Sequence, residues 1–182
     1  MPAITSGQSY YTNSGLYLKF GSTIATPTTW GDYAMFGPNR CIEGTILLTG
    51  LSTTAATPSI VTDVTFFPAL GAGQLFIEAV EIVAETAVAG GTSFNIGLIQ
   101  TDRSTIPSGY GTGFIAAEVI ATFAAAGNRV YYTQGVAKGG TFLGSSAAAA
   151  TGPYYITAFN TGAVTGTIRV RIFYHAIGGI TQ

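Results

Sequence analysis

Three glutamates, Glu78, Glu81 and Glu85, are the residues in this sequence that come nearest to a site for acid–base chemistry or metal binding. Along a β-strand, Glu81 and Glu85 are roughly 13 Å apart at about 3.3 Å per residue, so the two carboxylates cannot share one ion without help from elsewhere. We therefore interpret the three glutamates as charges on an outer face, either solvated or paired with a partner.

His175 is the single histidine, so only this residue could act as the imidazole base for a serine nucleophile. The sequence lacks the Gly-x-Ser-x-Gly motif of a nucleophile elbow. The glycine-rich stretch 109–113 matches neither the phosphate-binding loop nor the dinucleotide fingerprint, so it predicts a turn. We expect His175 to be a solvent or interface residue and the protein to have no catalytic residues, no cofactor and no metal. A small hydrolase is the least favoured reading.

Charge, cysteine content and apolar runs exclude several further classes of partner and structure. Seven Lys and Arg against eight Asp and Glu give a net charge of −1, which lacks the basic excess that binds nucleic acid. Cys41 is the only cysteine, so an internal disulfide is excluded and a small buried hydrophobic role is expected. We expect no signal peptide, because residues 1–8 contain no basic or apolar region, and no apolar run reaches the roughly 18 residues of a membrane span.

The low content of ionised residues is the most unusual property of the chain. Hydrophobic residues make up 47% of the sequence and charged residues only 8%, against roughly 25% charged in an ordinary domain. A net charge near zero favours association. The composition therefore predicts that other subunits cover much of the surface.

Short apolar runs separated by Gly, Thr, Ser and Pro predict an all-β protein. The clearest strand is 167–176, in which Ile168, Val170, Ile172 and Tyr174 form one apolar face. The other face carries Arg169, Arg171 and His175 and is interrupted by Phe173. About eight such strands, without the crossover helices of a parallel sheet, predict an antiparallel β-sandwich that is jelly-roll-like.

Four local features make this prediction specific. We expect a strand over 60–67, a β-bulge near Val80, and a hairpin in which Gly90-Gly91 joins the strand beginning at Leu75 to Ser93–Gln100. Segment 114–126 fits either a short helix or an irregular strand.

The first forty residues differ from the rest because their aromatic residues follow no clear period. We interpret residues 1–40 as an aromatic-rich arm or cover and residues 41–182 as the sandwich domain. Interfaces are enriched in Tyr, Trp and Phe, so docking on another subunit is the favoured role of the arm, with packing inside the chain as the alternative. The predicted partner-binding residues are Tyr10, Tyr11, Tyr17, Trp30, Tyr33 and Phe36.

Two further roles are expected for aromatic residues. By default, those in strands are core, namely Phe66, Phe76, Phe94 and Phe159. Others could stack on sugar rings as well as on protein, namely Trp30, Tyr110, Tyr131 and Tyr154.

Two sequence blocks resemble small structural proteins of tailed-bacteriophage virions. The first runs from Phe67-Pro-Ala-Leu-Gly-Ala-Gly73 to Glu85-Thr-Ala-Val-Ala-Gly-Gly-Thr-Ser93, with Val88 where Phe is usual. The second is Thr161-Gly-Ala-Val-Thr-Gly-Thr-Ile-Arg-Val-Arg-Ile-Phe-Tyr174, which is similar to the closing strand of those proteins. The likeness covers roughly residues 59–177.

This resemblance implies a non-enzymatic virion component made in the host cytoplasm and located on the capsid surface. It implies a capsid decoration or cement protein, with a jelly-roll-like domain, that binds the major capsid protein and locks neighbouring subunits together. A homotrimer would suit the local threefold axes of a capsid. The alternative is a tail or fibre component whose loop aromatics bind a host glycan.

Overall fold

The prediction of an all-β antiparallel sandwich is confirmed. The computed structural model describes residues 9–12, 15–18, 30–34, 39–67, 75–108, 110–133 and 153–176. In this part of the chain the regular structure consists of antiparallel strands and two short 3₁₀ helices. The strands, in chain order, are β1 (Ser9–Thr12), β2 (Gly15–Leu18), β3 (Trp30–Ala34), β4 (Asn39–Leu47), β5 (Ser59–Ile60), β6 (Leu75–Ala84), β7 (Ala89–Gly90), β8 (Ser93–Gln100), β9 (Ile115–Val119), β10 (Arg129–Thr133), β11 (Tyr154–Thr161), β12 (Val164–Thr165) and β13 (Thr167–Ala176).

The order of the strands is that of an eight-stranded jelly roll. The large sheet has the order β1-β2-β3-β4-β13-β6-β10, the small sheet β5-β11-β8-β9, and β7 pairs with β12 in a third, two-stranded sheet. The set β4-β13-β6-β10 faces β5-β11-β8-β9, and the chain passes repeatedly between the two, as a jelly roll requires. Strands β1 to β3 extend the large sheet beyond β4.

The core lies between the two sheets, and β13 is at its centre. Ile168, Val170 and Ile172 are fully buried on the inner face of β13, as their alternation predicts. Phe94 and Leu98 of β8 belong to the same cluster from the opposite sheet. Burying one such side chain contributes roughly 1.5–3 kcal/mol, so these residues supply much of the stability.

Trp30 corrects the expectation for the N-terminal arm. It is completely buried and belongs to the core cluster, where its indole N–H donates a hydrogen bond of 2.9 Å to the carbonyl of Val61. The ring occupies the space left by Gly44, the residue opposite it on β4. Trp30 therefore anchors β3 to the sandwich, and its ring has no exposed surface to offer a partner. The division of the chain near residue 40 stays a prediction.

The predicted hairpin at Gly90-Gly91 is wrong. Strand β8 pairs with β11 and β9 in the small sheet, whereas β6 pairs with β13 and β10 in the large one. The two glycines do interrupt the regular strands, as predicted. At this point, however, the chain passes from the large sheet to the small sheet. Two-residue glycine turns are typical of hairpins, and only tertiary packing decides between the two outcomes.

Other local predictions are met in part. The expected bulge lies at Glu78, because Phe173 is opposite Ala79 while Tyr174 is opposite Ile77. The predicted strand over 60–67 shrinks to β5 and one isolated bridge between Phe66 and Tyr154. Segment 114–126 contains both predicted alternatives, strand β9 followed by a 3₁₀ helix at Ile120–Phe123.

The two sequence blocks that carry the resemblance meet at one corner of the sandwich, where β7 pairs with β12. Gly90, Gly91, Gly162 and Gly166 all have positive φ there. A Cβ atom added to Gly90 would lie 2.5 Å from the carbonyl oxygen of Ala163. Glycine at position 90 thus has a structural cause, since a side chain there would be strained by the positive φ and would clash with the backbone of Ala163.

Candidate interaction surface

A row of paired charges crosses the outer face of the large sheet. Arg171 on β13 lies opposite Glu43 on β4 and Glu81 on β6, and Tyr131 on β10 continues the row beside Glu81. The Nε of Arg171 donates to Glu43 at 2.5 Å, and its Nη1 donates to Glu81 at 2.9 Å. One guanidinium therefore neutralises two carboxylates on two neighbouring strands.

The protonation of Arg171 is fixed by these contacts. The hydrogen bond to Glu43 raises its pKa above the ordinary value, partial burial opposes this, and Glu81 raises it further. Charge-assisted bonds of this kind are stronger than neutral ones. The row thus remains ionic and aligns β4, β13 and β6.

Two further pairs lie on the same face. Arg169 is 3.3 Å from Glu85, and Nδ1 of His175 is 3.0 Å from Glu78. All three glutamates that were candidates for chemistry therefore contact a basic residue of β13. From the sequence alone these charges could be solvated or paired with a partner, and the structure pairs them within the chain.

Phe76 belongs to this outer face and not to the core, which corrects its assignment. It is half-buried and stacks on His175 with ring centroids 5.0 Å apart. The bulge at Glu78 shifts the alternation of β6, so Phe76 faces outwards although Ile77 is fully buried. Phe66, Phe94 and Phe159 are buried as expected.

The four tyrosines among the predicted docking residues have defined positions in the strand pairing of the large sheet. Tyr10 is opposite Tyr17, Tyr17 is opposite Tyr33, and Tyr33 is opposite Cys41. These residues thus share one row across four strands. Tyr11 lies in the neighbouring row, opposite Leu16, and Phe36 lies outside the described residues.

The aromatic residues considered for sugar stacking do not form one exposed group. Trp30 and Tyr154 are fully buried. Tyr110 packs edge-on against Tyr154 with centroids 5.5 Å apart, and its burial raises the pKa of its phenol. Tyr131 alone of these four is largely exposed, at 58%.

A second feature is the side of the sandwich where β9 and β10 lie together. The hydroxyl of Tyr132 donates to Oε2 of Glu118 at 2.5 Å and so links the two sheets. Glu118 is buried, and among the described residues its Oε1 has no hydrogen-bond partner. Burial raises the pKa of Tyr132, and the contact with Glu118 raises it further.

The same side carries both large hydrophobic residues that are exposed in the described part of the chain, Val119 at 40% and Tyr131 at 58%. They are the sequence neighbours of Glu118 and Tyr132. Glu118 is not among the functional candidates predicted from the sequence. Its position as one acid within an apolar run, Phe114 to Phe123, was the available signal.

A third feature missed in the sequence is the loop after β8. Asp102 accepts hydrogen bonds from the backbone N–H groups of Ser104 and Thr105, and from the hydroxyl of Thr105. The Thr105 hydroxyl contributes most, and together these bonds lower the pKa of Asp102 to about 2. The neighbouring Arg103 lies over the ring of Tyr155, 4.8 Å from its centroid. The Asp-x-Ser-Thr sequence is a recognisable signal for this turn.

The described residues show neither a metal-binding cluster nor a membrane-spanning helix. Within the described ranges, no cluster of three or more His, Cys, Asp or Glu residues could hold a metal ion. In the same ranges, none of the helices is long and apolar enough to cross a membrane.

Comparison with known proteins gives one similar structure. No protein-family profile and no curated protein matches the sequence. Among solved structures, a chain of the cyanophage Pam1 capsid asymmetric unit is similar over 97% of this chain and 99% of that one, with 16% sequence identity and a TM-score of 0.48.

Proposed function

We propose that this protein is a structural component of a tailed-phage virion that binds the outside of the capsid and stabilises contacts between major capsid protein subunits. The observation that carries the proposal is the corner formed by β7 and β12. The two sequence blocks that resemble tailed-phage virion proteins lie far apart in the chain and come together there.

The fold supports the same role. A jelly roll is an architecture of viral capsid domains, although it also occurs in lectins and enzymes. The outer face supports it as well, because the carboxylates of Glu78, Glu81 and Glu85 are engaged by His175, Arg171 and Arg169. Ion pairs that join neighbouring strands in this way suit a static scaffold.

We place docking on the N-terminal segment, through Tyr10, Tyr11, Tyr17, Tyr33 and Phe36. Strands β1 and β2 reach the sandwich only through β3 in the described pairing. They therefore extend away from the jelly roll, where they can contact another subunit. Self-association into a homotrimer is part of the proposal, since local threefold axes recur on capsids.

The decisive experiment compares virions made with and without this chain. Complete particles should contain it on the head, and heads lacking it should release DNA at lower temperature and under milder osmotic shock. Adding the purified protein back should restore resistance. Equal resistance of both particles, or absence of the protein from purified heads, would falsify the proposal. Location on the tail together with binding on a glycan array would favour a host-recognition role instead.

A deletion separates docking from folding. Removing residues 1–29 keeps Trp30, β3 and the whole jelly roll, so the variant should fold with nearly unchanged thermal stability but bind heads much more weakly, because it lacks Tyr10, Tyr11 and Tyr17. The matched control is Trp30→Ala in the full chain, which should lose stability because a large core side chain is removed, by about 3–5 kcal/mol. Head binding by the deletion variant at the affinity of the intact protein would show that docking lies elsewhere.

A further inference from the structure

The edges of the two sheets are not equally protected against pairing with another chain. In the small sheet, β5 has two residues, and β9 is distorted by a register shift and by the positive φ of Ala117. Short and bulged edges are the usual means of preventing edge-to-edge association. In the large sheet, β10 pairs with β6 in continuous register over all five of its residues, Arg129–Thr133.

The backbone of β10 offers a regular set of hydrogen-bonding groups on its free side. The N–H of Ala84 donates to the carbonyl of Asn128, so Asn128 faces β6. Because alternate residues of a strand face alternate neighbours, Val130 and Tyr132 also face β6. The N–H and C=O groups of Arg129, Tyr131 and Thr133 therefore point away from β6, and within the described residues no backbone group pairs with them.

This set of groups is self-complementary. In an antiparallel pair, outward-facing residues of one strand must lie opposite outward-facing residues of the other. Placing Tyr131 opposite Tyr131 of a second copy also places Arg129 opposite Thr133, so all three outward residues are used. This register forms about six hydrogen bonds and keeps the two Arg129 side chains apart.

The side chains agree with this register. Arg129, Tyr131 and Thr133 are exposed, and Tyr131 is the most exposed large hydrophobic residue in the described part of the chain. Aromatic residues directly opposite each other across an antiparallel pair stabilise it. Val119, the other exposed large hydrophobic residue, lies on the adjacent edge strand β9.

We propose that β10 is an interface between two copies of this chain, in which the two β10 strands pair antiparallel about a twofold axis through Tyr131. Five residues of paired strand bury less than the roughly 1,200 Å² of a stable free interface, so the contact is weak between isolated molecules. Repetition across an assembly would strengthen it through avidity. The inference does not rest on the proposed virion function, and a twofold contact can link trimers as readily as monomers.

Disulfide trapping tests both the contact and its register. In the proposed pair the Cα atoms of the two Tyr131 residues are about 5.5 Å apart, within the range that a disulfide spans. Tyr131→Cys should therefore form a covalent dimer under mild oxidation. Thr133→Cys is the matched control, on the same strand and equally accessible. Its two copies would lie roughly 13 Å apart, four residues at about 3.3 Å each, so cross-linking should be at least about tenfold slower.

A mixture of two variants completes the test. Arg129→Cys and Thr133→Cys should cross-link to each other, because the register places them opposite, and each alone should not. The wild-type protein, whose Cys41 is buried, should remain uncross-linked. No dimer with Tyr131→Cys, or equal rates for Tyr131→Cys and Thr133→Cys, overturns the proposal. Since the experiment uses purified protein without capsids, its failure would leave the proposed virion function standing.

Discussion

Trp30 lies directly over Gly44, its opposite residue on the neighbouring strand. A Cβ atom added to Gly44 would come within 2.1 Å of Cδ2 of the indole. The absence of one side chain in β4 thus makes room for the largest side chain in the core. This contact, together with the pairing of β3 with β4, attaches the N-terminal strand β3 to the jelly roll.

Gly44→Ala should therefore destabilise the protein. The added methyl group must displace the indole, which is boxed in by Phe66 and by its bond to Val61, and overpacking of this kind costs about 1–3 kcal/mol. Chemical denaturation measures the loss. Gly111→Ala is the control, because its nearest contact is Ile106 Cγ2 at an ordinary 3.5 Å. Equal midpoints for the two variants would contradict the packing described for Trp30.

The Glu118–Tyr132 bond predicts an asymmetry between single and double variants. Tyr132→Phe removes the hydrogen bond to the buried Glu118 carboxyl and should cost about 1–3 kcal/mol. Replacing both partners by apolar residues, Glu118→Met with Tyr132→Phe, should recover part of that loss because no buried group then lacks a partner. A double variant less stable than Tyr132→Phe alone would rule out this account.

The hydrogen bond between Tyr132 and Glu118 also predicts that the folded protein loses stability at alkaline pH. The pKa of Tyr132 is raised in the folded protein by burial and by Glu118. The stabilisation is therefore complete below the ordinary tyrosine pKa of about 10 and is lost as the pH rises above it. Unfolding measured between pH 8 and pH 11 should show a steeper decline in wild type than in Tyr132→Phe. Parallel curves would show that Tyr132 does not contribute.

Asp102 predicts a loss of stability at acidic pH, whereas Tyr132 predicts a loss at alkaline pH. Its pKa is lowered to about 2, chiefly by the hydroxyl of Thr105, so the turn is stabilised above the ordinary pKa of 3.8 and loses that support as the pH falls towards 2. Thr105→Ala should move the Asp102 pKa back towards its ordinary value in an NMR titration. Ser104→Ala should change it far less, because Ser104 bonds mainly through its backbone. An unchanged pKa in Thr105→Ala would refute the assignment.

Arg171 should matter more than Arg169, although both lie on one strand. Arg171→Met leaves Glu43 and Glu81 on either side of an uncharged residue, whereas Arg169→Met releases only Glu85. These groups are partly exposed, so the expected loss for Arg171→Met is only about 1 kcal/mol. High salt should reduce it, because it screens the remaining repulsion. Equal melting temperatures for the two variants would argue against the shared pair.

Strands whose two faces differ could be predicted from the sequence. The alternation in 167–176 identified both the buried row of β13 and the outward-facing row that carries its arginines, since period two is a local property. The glycines at 90–91 predict an interruption between strands, because a turn signal is also a local property of the sequence. What they could not reveal is which strand follows on which sheet, because pairing between distant segments leaves no local signal.

The residues of the candidate site could be predicted from the sequence, but their partners and the direction of their side chains could not. The sequence predicts Glu78, Glu81 and Glu85 as charges on an outer face, solvated or paired, but it does not identify their partners, which lie about ninety residues away on β13. Phe76 was misassigned because the bulge at Glu78 inverts the alternation, and a bulge is located by the partner strand. Trp30 was placed in an arm because the gap above Gly44 is a property of the folded sheet.

The central position of β13 constrains how the chain is made. This strand, Thr167–Ala176, lies between β4 and β6 and holds them together. Until β13 has been synthesised, β4 and β6 have no strand between them to pair with, and the apolar faces of both strands remain uncovered. Acquisition of the native sheet must therefore follow synthesis of β13, and a chain that stops before Thr167 leaves β4 and β6 without the strand that joins them.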